Sequence, residues 1–327
     1  MIKIGVIGAG AMGKNHSRVC AELDNIELIG VVDKNKKTAK EIAKRFDTSA
    51  FTDYKELITK IDAAIVATPT FTHFNIAMDL LDAGKHVLIE KPICNNADRS
   101  EKILEKAQKN GLKIAVGHIE RHNPVVSFVK NGLEKNNFGE LIHLSSKRVS
   151  SFPGRIKDVG VIFDFGVHDI DVMRYLAGEV KSVYATSGRF NRDIDFEDHA
   201  TIVLNFENGL SGTLELNWLT PVKIRRLQLT CSKKFIEIDY INQSVDINSA
   251  SFDKIDEMNL FNIPIHYKRN SISLQKREPL KNEIEDFVHC IEKNRSPLVS
   301  GYDGMMAVKI SEAAVKSCNK KERVKIL

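Results

Sequence analysis

The sequence predicts an α/β protein in which an N-terminal doubly wound parallel sheet precedes a C-terminal α+β domain with a large open antiparallel sheet. Apolar runs of strand length alternate with helical segments over residues 1–121, which is typical of a parallel sheet covered by helices. A glycine-rich turn follows the first of these runs. Beyond residue 121, successive strands alternate apolar and polar residues, which indicates an antiparallel sheet.

Five apolar segments are the expected strands of the parallel sheet. They are Ile2–Ile7, Ile26–Val32, Ala63–Ala67, His86–Ile89 and Lys113–Val116. Between the third and the fourth, Ala77, Leu80 and Leu81 have helical spacing, and Gly84 follows as a C-terminal cap. The short connections suit a doubly wound sheet.

The second half has a different character. We predict helices at Pro124–Leu133, Val167–Leu176, Asn282–Lys293 and Asp303–Lys316, and a strand at Leu141–Val149. The strands of the meander are expected at Val180–Thr186, Ala200–Phe206, Leu210–Trp218, Arg225–Thr230 and Phe235–Tyr240. Asn208-Gly209 separates two of these strands and is a strong hairpin signal. Residues 150–158 and 242–280 have no clear pattern.

The length of 327 residues favours two domains, because one domain typically takes about 100–200 residues. We place the first domain at residues 1–121 and the second at residues 122–327. We also allow that the C-terminal helix packs back on the first domain.

Composition excludes several classes of protein. Hydrophobic residues make up 43% and charged residues 28%, which are ordinary values for a globular protein. The net charge of +5 comes from interspersed residues without a dense basic stripe, so nucleic acid is not an expected partner. We find no apolar run of membrane-spanning length and no leader, and we therefore expect a cytoplasmic protein without a membrane partner. The five cysteines are widely spaced, so we expect no disulfide framework, and no metal site is predicted.

A dinucleotide-binding turn follows the first strand. Residues 8–13 read G-A-G-A-M-G, with Gly8, Gly10 and Gly13 between a strand and a helix and with Ala11 and Met12 opening that helix. In this context Gly8 permits the tight turn, Gly10 lets a pyrophosphate approach the backbone, and Gly13 lets helix and strand pack closely. The sequence therefore predicts a Rossmann domain with the phosphates at the helix N-terminus.

Asp33 indicates which cofactor binds. It ends the second strand, 33 − 13 = 20 residues after the last glycine, where a carboxylate accepts hydrogen bonds from ribose hydroxyls. NAD is therefore favoured over NADP. Lys34, Lys36 and Lys37 would offset part of the repulsion of a 2′-phosphate, so NADP stays open as the second choice.

Residues 67–73, with the sequence ATPTFTH, and Glu90-Lys91-Pro92 carry a resemblance to a known family. They resemble the ATP-x-x-x-H and EKP segments of the glucose-fructose oxidoreductase / inositol dehydrogenase (Gfo/Idh/MocA) family. The resemblance is dense over residues 1–121 and resumes at Asp164–Asp169, which is similar to the family's D-x-x-x-H motif. It implies a Rossmann domain, an open antiparallel sheet, and NAD(P)-dependent oxidation or reduction of a sugar-like secondary alcohol or ketone.

Lys91 is the first candidate catalytic residue. It lies past the end of a parallel strand, where open α/β sheets bind their ligands. Near a nicotinamide, its ammonium would polarise the substrate oxygen and stabilise alkoxide character as hydride leaves. The alternative is a surface lysine at a strand end.

Asp164 and His168 are the other catalytic candidates. They are four residues apart, so a helical segment would put both on one face. By resemblance to the family motif, His168 is the general base and Asp164 binds or orients the substrate. Whether Lys91 or His168 takes the proton stays open, as does the alternative of a helix-end Asp beside a structural His.

The resemblance also implies cofactor contacts in the first domain. Thr68, Pro69 and His73 would contact the nicotinamide half, and Glu90 would contact the nicotinamide ribose, with Lys91 beside them. For His73 the alternative is an ordinary residue at a helix N-terminus.

The segment Gly117–Pro124, with the sequence GHIERHNP, points to a substrate. It is similar to the family subgroup that oxidises the 3-hydroxyl of UDP-N-acetylglucosamine or its uronate. A diphosphate needs donors, and the candidates are Arg121, Asn123, Arg148 and Arg155 for binding, with Lys147 nearby. The alternative is that these arginines only bridge the two domains.

The sequence thus predicts an NAD-dependent sugar dehydrogenase, with a UDP-N-acetylhexosamine as the favoured substrate. An inositol or free-sugar dehydrogenase is the runner-up, and a catalytically idle NAD-binding sensor is the alternative of another class. We expect a homodimer or tetramer, because the C-terminal helices are too few to cover both faces of the open sheet.

Overall fold

The structure is a computed structural model, and it describes residues 1–154, 159–252 and 265–326. The chain forms two compact units. Residues 1–122 and 278–312 make up the first, and residues 123–277 and 313–327 make up the second. The sequence had placed the division after residue 121.

Fifteen strands and nine α-helices are formed by the described residues. The strands are β1 (Ile2–Ile7), β2 (Ile26–Val32), β3 (Ser49–Phe51), β4 (Ala63–Val66), β5 (His86–Ile89), β6 (Ile114–Val116), β7 (Leu141–Ser151), β8 (Val180–Gly188), β9 (His199–Phe206), β10 (Ser211–Asn217), β11 (Leu219–Cys231), β12 (Phe235–Asp239), β13 (Ser244–Phe252), β14 (Ile265–Ser273) and β15 (Val324–Lys325). The helices are α1 (Ala11–Glu22), α2 (Lys36–Arg45), α3 (Lys55–Ile58), α4 (Thr70–Asp82), α5 (Ala97–Lys109), α6 (Pro124–Glu134), α7 (Val167–Ala177), α8 (Pro279–Glu292) and α9 (Gly301–Lys320). A 3₁₀ turn covers Ile119–His122 and a π-helical turn covers Ile162–Gly166.

The first unit is built on a six-stranded sheet in the order β3-β2-β1-β4-β5-β6, and every pairing in it is parallel. The doubly wound sheet is therefore confirmed. The strand order reverses between β1 and β4, and in such sheets the crevice for a ligand lies at the carboxyl ends of the strands at this point. Gly8 and Thr68 follow the two strands that flank it.

The core of the first unit includes residues from late in the sequence. Ile4, Val6 and Leu88 are fully buried in the sheet, and α8 adds Ile284 and Phe287 to the same cluster. In the sequence α8 lies about 160 residues after β6. Its helical spacing predicts an apolar face, but not which sheet that face packs against.

The second unit contains a nine-stranded sheet in the order β14-β13-β12-β11-β7-β10-β9-β8-β15. Its pairings are antiparallel except that β10 runs parallel to β7. Asn208-Gly209 forms the predicted hairpin between β9 and β10, with a φ of 86° at Gly209. The predicted antiparallel sheet is thus present and larger than expected, because β13 and β14 lie in the stretch where the sequence showed no clear pattern.

The two faces of this sheet differ in chemistry. On β10, Leu214 and Leu216 are buried, whereas Thr213 and Glu215 point to the other face, Thr213 half-buried and Glu215 exposed. The exposed face is polar, and Glu215 pairs there with Lys147 at 2.9 Å. The predicted alternation is correct. Within the described residues, no helix has the length and apolar character needed to cross a membrane.

Candidate active site

The glycine turn after β1 has the geometry of a phosphate cradle. Gly8 has a φ of 99°, and a Cβ atom there would lie 2.4 Å from the carbonyl oxygen of Ala67. A Cβ atom on Gly13 would lie 1.8 Å from the carbonyl oxygen of Gly8, so only glycine permits this approach of α1 to the turn. A Cβ atom on Gly10 would meet no described atom within 4 Å. The space in front of Gly10, at the N-terminus of α1, fits a pyrophosphate.

Asp33 is fixed against this turn. One carboxylate oxygen accepts a hydrogen bond from the backbone N–H of Ala9 at 2.9 Å, and the other accepts one from the backbone N–H of Asn35 at 2.8 Å. The side chain is half-buried at the end of β2. These bonds orient the carboxylate beside the phosphate turn, where an NAD ribose would find its acceptor.

His73 connects two loops of the first unit. Its ring is buried, with Nε2 lying 2.8 Å from the carbonyl oxygen of Thr68 and Nδ1 lying 3.0 Å from that of Pro92. Burial lowers the pKa of His73, although the two carbonyl oxygens favour the charged ring. The side chain therefore holds the segment after β4 against the segment after β5. Its contact with the cofactor stays a prediction.

Glu90 is a buried carboxylate at the end of β5. It lies 2.8 Å from Nε2 of His16 on α1, and its other oxygen accepts a hydrogen bond from the backbone N–H of Lys91 at 3.1 Å. Burial works to raise the pKa of Glu90, but the bond with His16 and the charge of Lys91 outweigh it, so the pKa is lowered. The carboxylate thus stays ionised beside Lys91, which is itself half-buried.

Asp164 lies in the π-helical turn that leads into α7, and His168 lies in the first turn of that helix. The Asp164 side chain is buried and His168 is half-buried. Such π-helical turns are rare and occur frequently at functional sites. The backbone N–H of Ile162 donates to the carboxylate of Glu197 at 3.1 Å, and that of Val161 donates to the Glu197 carbonyl at 3.0 Å. Glu197 therefore anchors the start of the segment that carries Asp164.

Arg148 and Lys147 have different ion-pair partners. They are neighbours on β7 and point to opposite faces. Lys147 pairs with Glu215 on the exposed face, whereas Arg148 is 1% exposed and forms a two-pronged ion pair with Asp169, with distances of 2.7 and 3.3 Å. Lys147 therefore lies on the face opposite to Arg148, because successive side chains on a strand alternate. That Arg148 binds substrate stays a prediction.

The other predicted substrate residues are also held inside their own units. Arg121 is 3% exposed and donates to Asp303 at 3.0 Å and to the carbonyl oxygen of Leu298 at 3.3 Å. Asn123 is buried and caps α6 by accepting a hydrogen bond from the N–H of Val125 at 3.4 Å. Arg155 lies outside the described residues.

Sequence reasoning did not single out His16, Glu197 or Glu283. His16 contacts the candidate residue Glu90, and Glu197 contacts Val161 and Ile162 just ahead of Asp164. Both partners lie far away along the chain, so local spacing carries no signal for these contacts. The described residues contain no group of three or more His, Cys, Asp or Glu side chains that could hold a metal ion.

Comparison with known proteins decides the family. Residues 2–118 match the model of an oxidoreductase family with an NAD-binding Rossmann fold, and residues 127–237 match that of the GFO/IDH/MocA C-terminal domain. The chain belongs to the Gfo/Idh/MocA oxidoreductase family. As a member it is an NAD-binding dehydrogenase that acts on CH–OH groups.

Members of this family that resemble the chain differ in substrate. The chain is 29% identical to a UDP-N-acetylglucosamine 3-dehydrogenase of Acidithiobacillus ferrooxidans over 93% of both chains, and 28% identical to an inositol 2-dehydrogenase of Rhizobium meliloti over 99% of both. A solved structure of the A. ferrooxidans enzyme has a TM-score of 0.86 with 27% identity and 98% coverage of both chains. A levoglucosan dehydrogenase in complex with NADH and levoglucosan has a TM-score of 0.87 at 22% identity, covering 100% of this chain and 99% of its own, which shows the shared fold.

Proposed function

We propose that this dehydrogenase oxidises a secondary hydroxyl of a sugar, and that its substrate is a UDP-activated N-acetylhexosamine oxidised at the 3-hydroxyl. The observation that carries the sugar-alcohol chemistry is the position of Lys91, which is the second residue after β5 and follows the ionised Glu90. This is the edge of the sheet at which Rossmann domains bind the reactive end of their cofactor.

The cofactor-side residues have separate tasks in this proposal. The N-terminus of α1 and the backbone at Gly10 bind the pyrophosphate, and Asp33 accepts hydrogen bonds from the adenosine ribose. Glu90 contacts the nicotinamide ribose, and Thr68, Pro69 and His73 border the nicotinamide. When bound, NAD⁺ supplies the acceptor for the hydride that leaves the substrate carbon.

The proton of the substrate hydroxyl must also leave. We propose that Lys91 donates a hydrogen bond to that oxygen and stabilises its developing negative charge. His168 accepts the proton in this scheme, and Asp164 orients the ring or binds a neighbouring hydroxyl. The second possibility, in which Lys91 itself takes the proton, requires the amine to be neutral and predicts a different dependence of turnover on pH.

Two similarities support a UDP-sugar as the substrate. One is the resemblance of residues 117–124 to the subgroup with this activity, and the other is the similarity over 93% of both chains to a UDP-N-acetylglucosamine 3-dehydrogenase. A diphosphate needs cationic donors. Arg121 and Arg148 already hold Asp303 and Asp169, so a direct donor role falls first to Arg155.

An inositol-type dehydrogenase is the second candidate. This candidate is favoured because Arg121 and Arg148 form ion pairs with Asp303 and Asp169 inside their own units. An uncharged polyol needs no phosphate donors. Similarity to an inositol 2-dehydrogenase over 99% of both chains points the same way.

The deciding experiment compares NADH formation on UDP-N-acetylglucosamine, myo-inositol and glucose. We expect turnover on the UDP-sugar and little on the other two. An Arg155→Ala variant should raise KM for the UDP-sugar about 10-fold or more, because a charge-assisted hydrogen bond contributes about 1.5–3 kcal/mol. Lys157→Ala is the matched control. Turnover on myo-inositol with none on the UDP-sugar would replace the first candidate with the second.

A further inference from the structure

His16 is a buried polar side chain on the helix that follows the glycine turn. It lies on α1, three residues after Gly13, and is fully buried. Its Nε2 atom lies 2.8 Å from a carboxylate oxygen of Glu90. Among the residues that the structure describes, its Nδ1 atom has no hydrogen-bond partner. Because a buried polar group without a partner destabilises the fold, the bond with Glu90 is what accounts for a polar ring at this position.

The ionisation of Glu90 sets the direction of this hydrogen bond. Glu90 is held as a carboxylate, and a carboxylate oxygen only accepts hydrogen bonds. The Nε2 atom of His16 therefore carries the proton and donates it to Glu90. Such a charge-assisted bond is stronger than one between neutral groups, and it favours the ionised form of the acceptor.

The Glu90 carboxylate is also fixed from two other directions. The backbone N–H of Lys91 donates to its second oxygen at 3.1 Å. A Cβ atom on Gly117, which follows β6, would lie 3.0 Å from that same oxygen, so the backbone there packs closely against the side chain. Each carboxylate oxygen can accept two hydrogen bonds. Glu90 thus keeps acceptor capacity for a ribose hydroxyl while its orientation is fixed.

Helix α1 connects this carboxylate to the phosphate turn. Gly13 packs on Gly8 so closely that a Cβ atom would lie 1.8 Å from the Gly8 carbonyl oxygen. This contact fixes the start of α1 against the turn, and His16 lies about one helical turn further along. The helix whose N-terminus is proposed to bind the pyrophosphate therefore also contacts, through His16, the residue proposed for the nicotinamide ribose.

The elements around β5 supply several other titratable side chains. The main elements packed against this strand are β4, β6 and α4, and neither β4 nor β6 carries a charged residue. The titratable side chains of α1 and α4, besides His16, are Lys14, Arg18, Cys20, Glu22, His73, Asp79 and Asp82. Arg18 pairs with Glu22, Asp79 accepts from Tyr54, and His73 is bound to two backbone carbonyl oxygens.

Glu283 on α8 is a further titratable neighbour. Burial first, and then the charge of Glu90, raise the pKa of Glu283 well above its ordinary value, which favours the neutral acid. His16 and Lys91 are the neighbours that lower the pKa of Glu90 against the effect of its burial. Of these two, His16 contacts Glu90 through its side chain.

We propose that His16 is a positioning residue, whose Nε2–H keeps the Glu90 carboxylate ionised and oriented to bind the nicotinamide ribose of NAD. His16 acts through Glu90 and not on the reacting atoms. The inference rests on the proposed contact between Glu90 and that ribose, but it does not depend on which sugar is oxidised.

The test compares the binding of NAD and of ADP by calorimetry. ADP has the adenosine and the pyrophosphate but lacks the nicotinamide ribose. His16→Leu should weaken NAD binding about 10-fold or more at neutral pH, because a hydrogen bond to a charged group contributes this much, and should leave ADP binding unchanged. Ser17→Ala is the matched control, since Ser17 is equally buried on α1 but bonds the Gly13 carbonyl oxygen within the helix. It should keep both affinities.

The dependence on pH separates this role from a merely structural one. Without His16, burial raises the pKa of Glu90, so part of the protein carries a neutral Glu90 at neutral pH. The NAD affinity of His16→Leu should then rise with pH, by up to about 10-fold per pH unit for one linked proton, until Glu90 is ionised. The wild-type protein should show no such rise, because its Glu90 is already ionised. His16→Gln, whose amide can donate from a similar position, should restore most of the affinity.

Two results with His16→Leu would overturn the inference. One is an equal weakening of NAD and ADP binding, and the other is a loss of NAD affinity that is the same at every pH. Glu90→Gln separates the inference from the proposed function. If Glu90→Gln binds NAD as the wild type does, the ribose contact and the inference both fail. If NAD affinity falls in Glu90→Gln but not in His16→Leu, the inference alone fails.

A measurement on the unaltered protein covers the case in which His16→Leu does not fold. Nitrogen-15 NMR of the histidine rings should show His16 protonated at Nε2, with its signal assigned by its absence in His16→Gln. A ring protonated at Nδ1 alone would overturn the inference, because Nε2 could not then donate to Glu90. None of these readouts needs a substrate, so failure of the substrate proposal would leave them unchanged.

Discussion

Substituting Gly10 by alanine separates cofactor binding from folding. The residue has a φ of −69°, which alanine adopts readily, and its added Cβ atom would meet nothing within 4 Å among the described residues. Replacing glycine at a compatible position stabilises by about 0.4–1 kcal/mol, while alanine is less favourable than glycine at a helix N-cap. These effects oppose each other, so we expect the free energy of unfolding to change by less than about 1 kcal/mol.

Cofactor binding should respond much more strongly. The Cβ atom would occupy the space through which a pyrophosphate approaches the N-terminus of α1. A hydrogen bond to a charged group contributes about 1.5–3 kcal/mol, so loss of one backbone N–H to phosphate bond weakens NAD binding about 10- to 150-fold. Calorimetric titration with NAD measures this change, and thermal unfolding without cofactor measures stability.

Gly13→Ala is the matched comparison within the same turn. Its Cβ atom would lie 1.8 Å from the Gly8 carbonyl oxygen, so helix α1 must move. Overpacking of this kind costs about 1–3 kcal/mol or more, and we expect a lower Tm as well as weaker NAD binding. A Gly10→Ala protein with wild-type affinity for NAD would refute the assignment of this turn to the pyrophosphate.

Three further predictions concern specificity, stability and assembly. Asp33→Ala should narrow the preference for NAD over NADP in parallel titrations, because it removes both the ribose acceptor and the repulsion of a 2′-phosphate; tighter binding of NADP by the unaltered protein would contradict the assignment. Arg148→Ala should destabilise by about 3–5 kcal/mol in denaturant unfolding because it removes one partner of a buried ion pair with Asp169, whereas Lys147→Ala on the opposite face should cost about 1 kcal/mol or less. Light scattering at micromolar concentration should give a dimer or tetramer mass, and a monomer mass would rule out association through the open sheet.

Local patterns in the sequence predicted most of the elements of both units. The strands Ile2–Ile7, Ile26–Val32 and His86–Ile89 have the predicted bounds, because buried parallel strands are short apolar runs between turns. The hairpin at Asn208-Gly209 was predictable since the turn needs a residue that tolerates positive φ. β3 and β14 were missed because they lie at sheet edges and carry few buried apolar residues.

The candidate site was predictable where a motif occupies consecutive residues. The glycine turn and the segment around Lys91 are of this kind, and Asp33 was found from its position at the end of the second strand. Partnerships between distant residues were not predictable, because spacing along the chain does not reveal what a side chain meets. Arg148 illustrates the limit: an arginine on a strand suggests a phosphate donor, yet its partner Asp169 is a buried carboxylate 21 residues away.

The most direct test of the central claim is NADH formation by the wild-type protein and by Lys91→Ala and His168→Ala, measured together with NAD binding. We predict that each variant binds NAD within a few-fold of the wild-type affinity. Its turnover number should fall by about 10²-fold or more, because a positioned acid or base contributes about 10²- to 10⁴-fold to the rate. Turnover at the wild-type rate in both variants would contradict the account, since the chemistry would then lie elsewhere in the chain.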